Sequence, residues 1–91
     1  MFIDGMKMVL YTPQCLSLKD KRAITKSLIN KVRNKYNVSI SEIDYLDNIK
    51  KIGIGIAIVT NNPSLNKESL DKILSFIQDN YDVDIINVMY E

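Results

Sequence analysis

Residues 17–22 read Ser-Leu-Lys-Asp-Lys-Arg, and they determine how the first helix of this 91-residue chain meets its core. Ser17 is a favourable N-cap, because its hydroxyl can accept a hydrogen bond from an amide of the first turn. From Leu18 onward, apolar side chains recur at helical spacing and form one continuous arc that includes Ile24 and Leu28. The stretch therefore predicts an amphipathic helix over residues 18–35 that packs one face on a core.

The start of this helix carries more positive charge than a helix N-terminus favours. Lys19, Lys21 and Arg22 lie in its first turns, and Lys21 falls inside the apolar arc. Two interpretations stand. Lys21 can extend past the end of a sheet to meet an acidic side chain of its own chain. Alternatively, the helix start and its cations can bind a phosphate or a carboxylate.

The remaining elements are predicted from hydrophobic periodicity. Strands are expected over residues 5–11, 38–44, 51–60 and about 81–90, and a second amphipathic helix over residues 64–79. The alternation in the second strand changes phase at Glu42 and Ile43, which indicates a β-bulge. The third strand has isoleucines on one face but only Gly53, Gly55 and Ala57 on the other, so close approach of another backbone segment is expected there.

The element order βαββαβ predicts a ferredoxin-like α+β fold in a single domain over residues 1–91. Four antiparallel strands are expected in the order 4-1-3-2, with both helices on one face. The predicted core consists of Met8, Leu10, Ile24, Leu28, Val32, Ile54, Ile56, Ile58, Leu70, Ile73, Leu74 and Ile77. This topology brings Lys21 and Arg22 near the carboxylates with which one of them is expected to pair, those of Asp47, Asp82 and Asp84.

The composition excludes several kinds of site. The chain has no histidine and one cysteine, Cys15, which removes the commonest general base, the commonest metal ligand and any internal disulfide. It has neither a Walker A motif nor a dinucleotide-binding glycine motif. No segment is long and apolar enough to span a membrane, and no signal peptide is visible. We therefore expect a cytoplasmic, non-enzymatic protein with no cofactor, no metal and no membrane partner.

Charge is distributed unevenly along the chain although the net charge is only +1. Residues 19–35 hold seven cations and one acid, whereas residues 67–91 hold two cations and six acids. The candidate anion- and nucleic-acid-binding residues are Lys19, Lys21, Arg22, Lys26 and Arg33. Because the third strand offers no aromatic residue on its open face, binding is expected to involve phosphates rather than base stacking. The alternative is a solvated helix face without a ligand.

Self-association is the second functional hypothesis. The sheet face opposite the helices is flat and apolar, and the second strand is an edge that another chain could extend. The candidate interface residues are Val9, Tyr11, Gly53, Gly55 and Ala57. On this hypothesis the protein is a homo-oligomeric regulatory or ligand-binding module with no nucleic-acid role.

The chain resembles the YlxP-like family (domain of unknown function 503), which consists of small bacterial proteins. The resemblance is strongest at residues 17–22 and continues through residues 26–28, 33–39, 55–61 and 70–74. It implies a ferredoxin-like fold and no known catalytic residue. Because family members are often encoded beside translation and ribosome-assembly factors, it also implies ribosomal RNA or ribosomal particles as a partner. Relatives often carry His and Gln after the second strand, where this chain reads Asp-Tyr-Leu-Asp-Asn at residues 44–48.

Overall fold

The computed structural model describes residues 1–91 and contains six elements of secondary structure. In chain order they are β1 (Phe2–Tyr11), α1 (Leu18–Lys35), β2 (Ser39–Asp44), β3 (Lys51–Thr60), α2 (Pro63–Asn80) and β4 (Asp84–Tyr90). The predicted bounds of α1 and β3 are confirmed, and α2 extends one residue beyond its prediction at each end. Neither helix is sufficiently long and apolar to cross a membrane.

The four strands form one antiparallel sheet in the order β2-β3-β1-β4, which is the predicted order read from the opposite edge. The central pair, β1 and β3, is in register from Phe2 opposite Thr60 to Tyr11 opposite Lys51. β4 pairs with the second half of β1, from Met6 opposite Tyr90 onward. The ferredoxin-like α+β fold is therefore confirmed.

β1 begins at Phe2 rather than at the predicted Gly5 because its first residues pair with the end of β3, and a buried asparagine joins them to α2. Asn66 of α2 is fully buried and donates from Nδ2 to the Phe2 carbonyl at 3.0 Å and to Asp4 Oδ2 at 2.7 Å. Its Oδ1 accepts a hydrogen bond from the Thr60 hydroxyl. Every polar atom of this buried side chain therefore has a hydrogen-bond partner. These hydrogen bonds join the start of β1 and the end of β3 to α2.

Side chains cap both helices at their N-termini. Ser17 Oγ accepts a hydrogen bond from the Asp20 amide at 3.1 Å, and Asp20 Oδ2 accepts one from the Leu16 amide at 3.1 Å, so the predicted N-cap is confirmed. Asn62 caps α2 in the same way, and Pro63 occupies the first helical position.

Both helices pack on the same face of the sheet. The buried cluster between them consists of Met6, Met8, Leu10, Leu28, Val32, Ile40, Ile52, Ile54, Ile56, Ile58, Leu70, Ile73, Ile77 and Val83. Predicted core residues Ile24 and Leu74 are only partly buried and pack against the margin of the cluster. The buried side of α1 follows Lys21, Thr25, Leu28 and Val32, which lie at the centre of the predicted arc, whereas Ile24 lies at its margin.

The predicted bulge in β2 is confirmed, and it explains the glycines of β3. The register between β2 and β3 shifts between Glu42 and Asp44, so Ile43 is the extra residue. A Cβ atom on Gly53 would lie 2.6 Å from the Cβ of Asp44 and 3.0 Å from its carbonyl oxygen. A Cβ on Gly55 would lie 2.9 Å from Ile43 Cδ1. The expected close approach of another backbone segment is thus made by the chain's own bulge.

Candidate nucleic-acid interface

Three basic side chains on the outer side of α1 are exposed and have no acidic partner. Lys19, Arg22 and Lys26 recur at spacings of three and four residues, so they lie along one side of the helix. The ion pairs within 4.0 Å in this protein join Lys21 to Glu42 and Lys72 to Glu68, and neither includes these three. Their positive charge is therefore available to an external anion.

Arg33 lies on the same helix but also contacts the sheet. Its Nη2 donates to the carbonyl oxygen of Ile40 at 3.1 Å, and Ile40 belongs to edge strand β2. The side chain remains exposed, so its other donors are free for a ligand. Arg33 consequently has a structural contact that Lys19, Arg22 and Lys26 lack.

Lys21 is separated from this exposed group because its side chain is fully buried. Its ammonium donates to the carbonyl oxygens of Tyr45, Lys51 and Leu46 at 2.7, 3.2 and 3.3 Å. It also lies 3.2 Å from Glu42 Oε2. These four oxygens surround the charge, so Lys21 is not accessible to an external phosphate in this structure.

The expected pairing of Lys21 or Arg22 with Asp47, Asp82 or Asp84 is wrong. The partner of Lys21 is Glu42, and Arg22 has no acidic partner within 4.0 Å. The reason is the β2 register: Glu42 pairs with Ile54 and, like Ile40, projects toward the helices. The carboxylate of Glu42 therefore lies on the buried side of the sheet with Lys21, whereas Asp47, Asp82 and Asp84 are exposed.

The loop between β2 and β3 is held by main-chain and lysine contacts. Tyr45 has a φ of 59°, a left-handed conformation that is uncommon for a non-glycine residue. This loop carries two of the carbonyls that receive Lys21. Lys50 Nζ donates to the Pro13 carbonyl at 2.8 Å and to that of the buried Cys15, which joins this loop to the one before α1.

A groove of about 320 Å³ lies between α1 and β2, and we call it the α1–β2 groove. Its lining residues are Arg22, Thr25, Lys26, Ile29, Asn30 and Glu42. The groove thus combines two unpaired cations with an amide, an apolar side chain and a carboxylate. Sequence reasoning missed Glu42 and Asn30 as site residues, although the alternation that directs Ile40 inward also directs Glu42, two residues later, inward.

The face of the sheet that carries no helix is here called the open face. The candidate interface residues on it differ in their exposure to solvent. Tyr11 is 38% exposed and Ala57 is exposed, whereas Val9 and Gly55 are partly buried. Gly53 is buried beneath Asp44 of the same chain, so another molecule cannot contact it in this conformation. The face is therefore less bare than its glycines suggest.

Large apolar side chains of three strands on the open face are exposed. Ile3 and Val59 are directly opposite each other across β1 and β3 and are 65% and 55% exposed. Met89 of β4 is also about half exposed. These residues, rather than the glycines, are the apolar surface that another protein could contact.

The surface formed by α2 includes aromatic and acidic side chains, unlike the basic outer side of α1. Lys35 Nζ lies 4.7 Å from the ring centroid of Phe76, a cation–π geometry. On the same helix, Asp71 Oδ1 accepts a hydrogen bond from the Tyr90 hydroxyl at 3.0 Å. Desolvation, together with this hydrogen bond and the negative charge of Asp71, raises the pKa of the Tyr90 phenol above its ordinary value.

Comparison with known proteins identifies relatives and fold neighbours. The family model described as "Protein of unknown function (DUF503)" matches residues 3–90. The uncharacterized protein YlxP of Bacillus subtilis (strain 168) is 44% identical over 61 residues, which are 67% of this chain and 66% of YlxP. The aligned stretch thus spans just under two thirds of that relative's length.

Two de novo designed proteins are similar in structure. One, LFR1 1, is described as having a ferredoxin fold; the TM-score is 0.66 at 14% identity, over 100% of this chain and 86% of that chain. The other, Foldit4, has a TM-score of 0.62 at 12% identity, over 99% of this chain and 97% of that chain. At these identities the similarity concerns the fold alone.

Proposed function

The chain belongs to the DUF503 family of proteins of unknown function, and we propose that it is a non-enzymatic protein that binds RNA through the exposed cations of α1. The observation that carries the proposal is that one cation of α1 is buried among oxygen atoms, whereas three others are exposed and unpaired. Lys21 is enclosed by four oxygen atoms of its own protein. Lys19, Arg22 and Lys26 have no acidic partner within 4.0 Å.

The spacing of these cations suits a phosphate backbone. Arg22 and Lys26 are one turn apart, and Arg33 lies about 16 Å along the helix axis from Arg22. A strand that follows α1 can place two or three phosphates against them, which predicts a salt slope of about −2 for single-stranded RNA. Ribosomal RNA or a ribosomal particle is the partner we favour, as the resemblance to the YlxP-like family implies.

The decisive experiment reverses charge on α1 and compares the result with a matched reversal elsewhere. The test variant is Arg22→Glu/Lys26→Glu, which leaves the Arg33 contact with the sheet intact. The control is Lys67→Glu/Lys72→Glu on α2, which changes the net charge by the same amount at exposed positions. Fluorescence anisotropy of labelled ribosomal RNA fragments at low and moderate salt measures the binding.

We expect the test variant to lose binding by more than about tenfold, while the control stays within about threefold of the parent. Circular dichroism spectra of all three proteins should coincide, because the four side chains are exposed. Equal losses in both variants would mean that the protein responds only to net charge. Retained binding in the test variant would mean that α1 is not the interface.

Self-association through the open face is the second candidate, and it is favoured by the exposed Ile3–Val59 pair. A Val59→Lys variant places a charge in this apolar surface and would disrupt such an interface. The expected result is a homodimer or larger species for the parent and a monomer for the variant in sedimentation at tens of micromolar protein. A parent that sediments only as a 10.4 kDa species would contradict this candidate.

A further inference from the structure

We propose that a small cavity on the open face binds a small apolar α-amino acid, with Lys7 contacting the carboxylate of the ligand and Asp44 its ammonium group. The cavity has a volume of about 120 Å³, and we call it the open-face cavity. It lies on the face of the sheet opposite the helices, so it is separate from the exposed cations of α1. The inference therefore goes beyond RNA binding and does not depend on it.

The bulge in β2 forms one wall of the open-face cavity. Ile43 lies over Gly55, where an added Cβ would come within 2.9 Å of Ile43 Cδ1. Asp44 lies over Gly53, where an added Cβ would come within 2.6 Å of the Cβ of Asp44. Because both glycines belong to β3, the bulge extends across β3 toward β1, and its side chains bound a hollow that a regular strand would leave open.

The floor and the opposite wall come from β1 and β4. Lys7 and Val9 project to the open face, because the alternate residues of β1 are buried beneath the helices. Met89 is directly opposite Lys7, and Asn87 is directly opposite Val9. The lining therefore combines apolar and polar side chains, among them Val9, Ile43, Met89, Lys7, Asp44 and Asn87.

Two opposite charges line the cavity without pairing with each other. Lys7 is partly buried and has no acidic partner within 4.0 Å. Asp44 Oδ1 accepts a hydrogen bond from the Tyr45 amide at 2.8 Å, which orients the carboxylate, but no cation lies within 4.0 Å of it. A ligand that carries both charges can contact both side chains at once, and each such contact is a charge-assisted hydrogen bond.

The size and lining of the cavity limit the ligand. A volume of about 120 Å³ equals that of roughly four water molecules at about 30 Å³ each, which suits alanine or valine and excludes a nucleotide. The apolar side chains of the lining suit an aliphatic group, and the amide of Asn87 can donate to the ligand carboxylate. A simple anion would leave Asp44 without a partner and a simple amine would leave Lys7 without one, so the cavity favours a zwitterion.

Titration with L-valine, followed by amide NMR spectra of the protein, tests the proposal. We expect saturable shifts at the amides of Lys7, Val9 and Asn87, with a Kd of about 1 mM or below for so small a ligand. Isovalerate lacks the ammonium group of valine and isobutylamine lacks its carboxylate, whereas both keep the branched side chain. Each should bind at least about tenfold more weakly than valine, because one charged contact is lost. These comparisons leave the protein unaltered.

Two variants test the charged residues themselves. Lys7→Met and Asp44→Asn each remove one charge while keeping most of the side-chain volume, and each should weaken valine binding by at least about tenfold. Lys26→Met is the control, because it removes a cation from α1 instead, and its affinity for valine should stay within about twofold of the parent. The same spectra show whether each variant is folded, and the comparison of valine with its two analogues gives a result that needs no variant.

The outcomes separate this inference from RNA binding. The absence of saturable shifts up to about 10 mM valine, or shifts confined to residues away from the open-face cavity, would overturn the amino-acid site and leave the RNA proposal unaffected. Equal affinity for valine and isovalerate would reveal a site for anions only and would also overturn it. Unchanged valine binding by the Arg22→Glu/Lys26→Glu variant is the expected result, because that variant alters only the outer side of α1.

Discussion

Replacing Lys21 by methionine removes the buried ammonium while keeping most of the volume of its aliphatic stem. The ammonium has four oxygen partners: Glu42 Oε2 and the carbonyls of Tyr45, Leu46 and Lys51. Without it, the Glu42 carboxylate is left largely buried and uncompensated. Breaking a buried ion pair by removing one partner costs about 3–5 kcal/mol, so we expect the free energy of unfolding to fall by that amount.

Urea unfolding followed by far-ultraviolet circular dichroism measures this loss. Lys26→Met is the matched control, because it makes the same substitution at an exposed position of the same helix and should stay within about 0.5 kcal/mol of the parent. Since a loss of about 3–5 kcal/mol is a large part of the typical stability of about 5–15 kcal/mol, the midpoint should shift visibly.

A double-mutant cycle identifies the source of the loss. Adding Glu42→Gln to Lys21→Met removes the uncompensated charge, so the double variant should be destabilised by less than the sum of the two single changes. A cost below about 1 kcal/mol for Lys21→Met would refute the reasoning, as would strict additivity with Glu42→Gln, because either result would mean that the enclosed pair is not coupled.

Three further predictions follow from other parts of the fold. Leu28→Ala should cost about 2–5 kcal/mol in urea unfolding, since the side chain is fully buried in the core; a cost below about 1 kcal/mol would mean that this face of α1 is misassigned. Gly55→Ala should cost about 1–3 kcal/mol because the new Cβ meets Ile43, and Ile43→Ala should relieve most of that cost. The phenol of Tyr90 should titrate above pH 10.0 by ultraviolet absorbance, and Asp71→Asn should lower its pKa. Because the folded-state pKa is raised, Tyr90 favours folding below its unfolded pKa, and that contribution is lost as the pH rises through the folded-state pKa.

Periodicity and the right-handed crossover rule together predicted the fold, because the apolar patterns indicate the six elements and the crossover rule indicates the strand order. Periodicity also located the bulge at Glu42–Ile43 and the close approach at Gly53 and Gly55. These features depend on neighbours along the chain or on the adjacent strand, so a single sequence contains the relevant information.

The candidate site was less accessible to sequence reasoning. The position of Lys21 inside the apolar arc predicted its unusual environment, but the identity of its acidic partner depends on which face of β2 Glu42 occupies. Tyr45 adopts a left-handed conformation next to the carbonyl contacts of Lys21. Glycine or asparagine at this position would have indicated that conformation, whereas tyrosine does not. The contacts of Asn66 with Phe2 and Asp4 join residues that are far apart in sequence, and no local pattern marks them.

The central position of β1 has a consequence for the order of events during synthesis. β1 leaves the ribosome before β4, its partner on one side, which begins only at Asp84. At about 5–20 residues per second, β4 follows β1 by roughly 4–16 s. During that interval one side of β1 has no strand to pair with, even after β3 has joined the other side. The nascent chain therefore exposes an unpaired central strand, and any factor that delays translation of β4 lengthens the time in which another chain can pair with it.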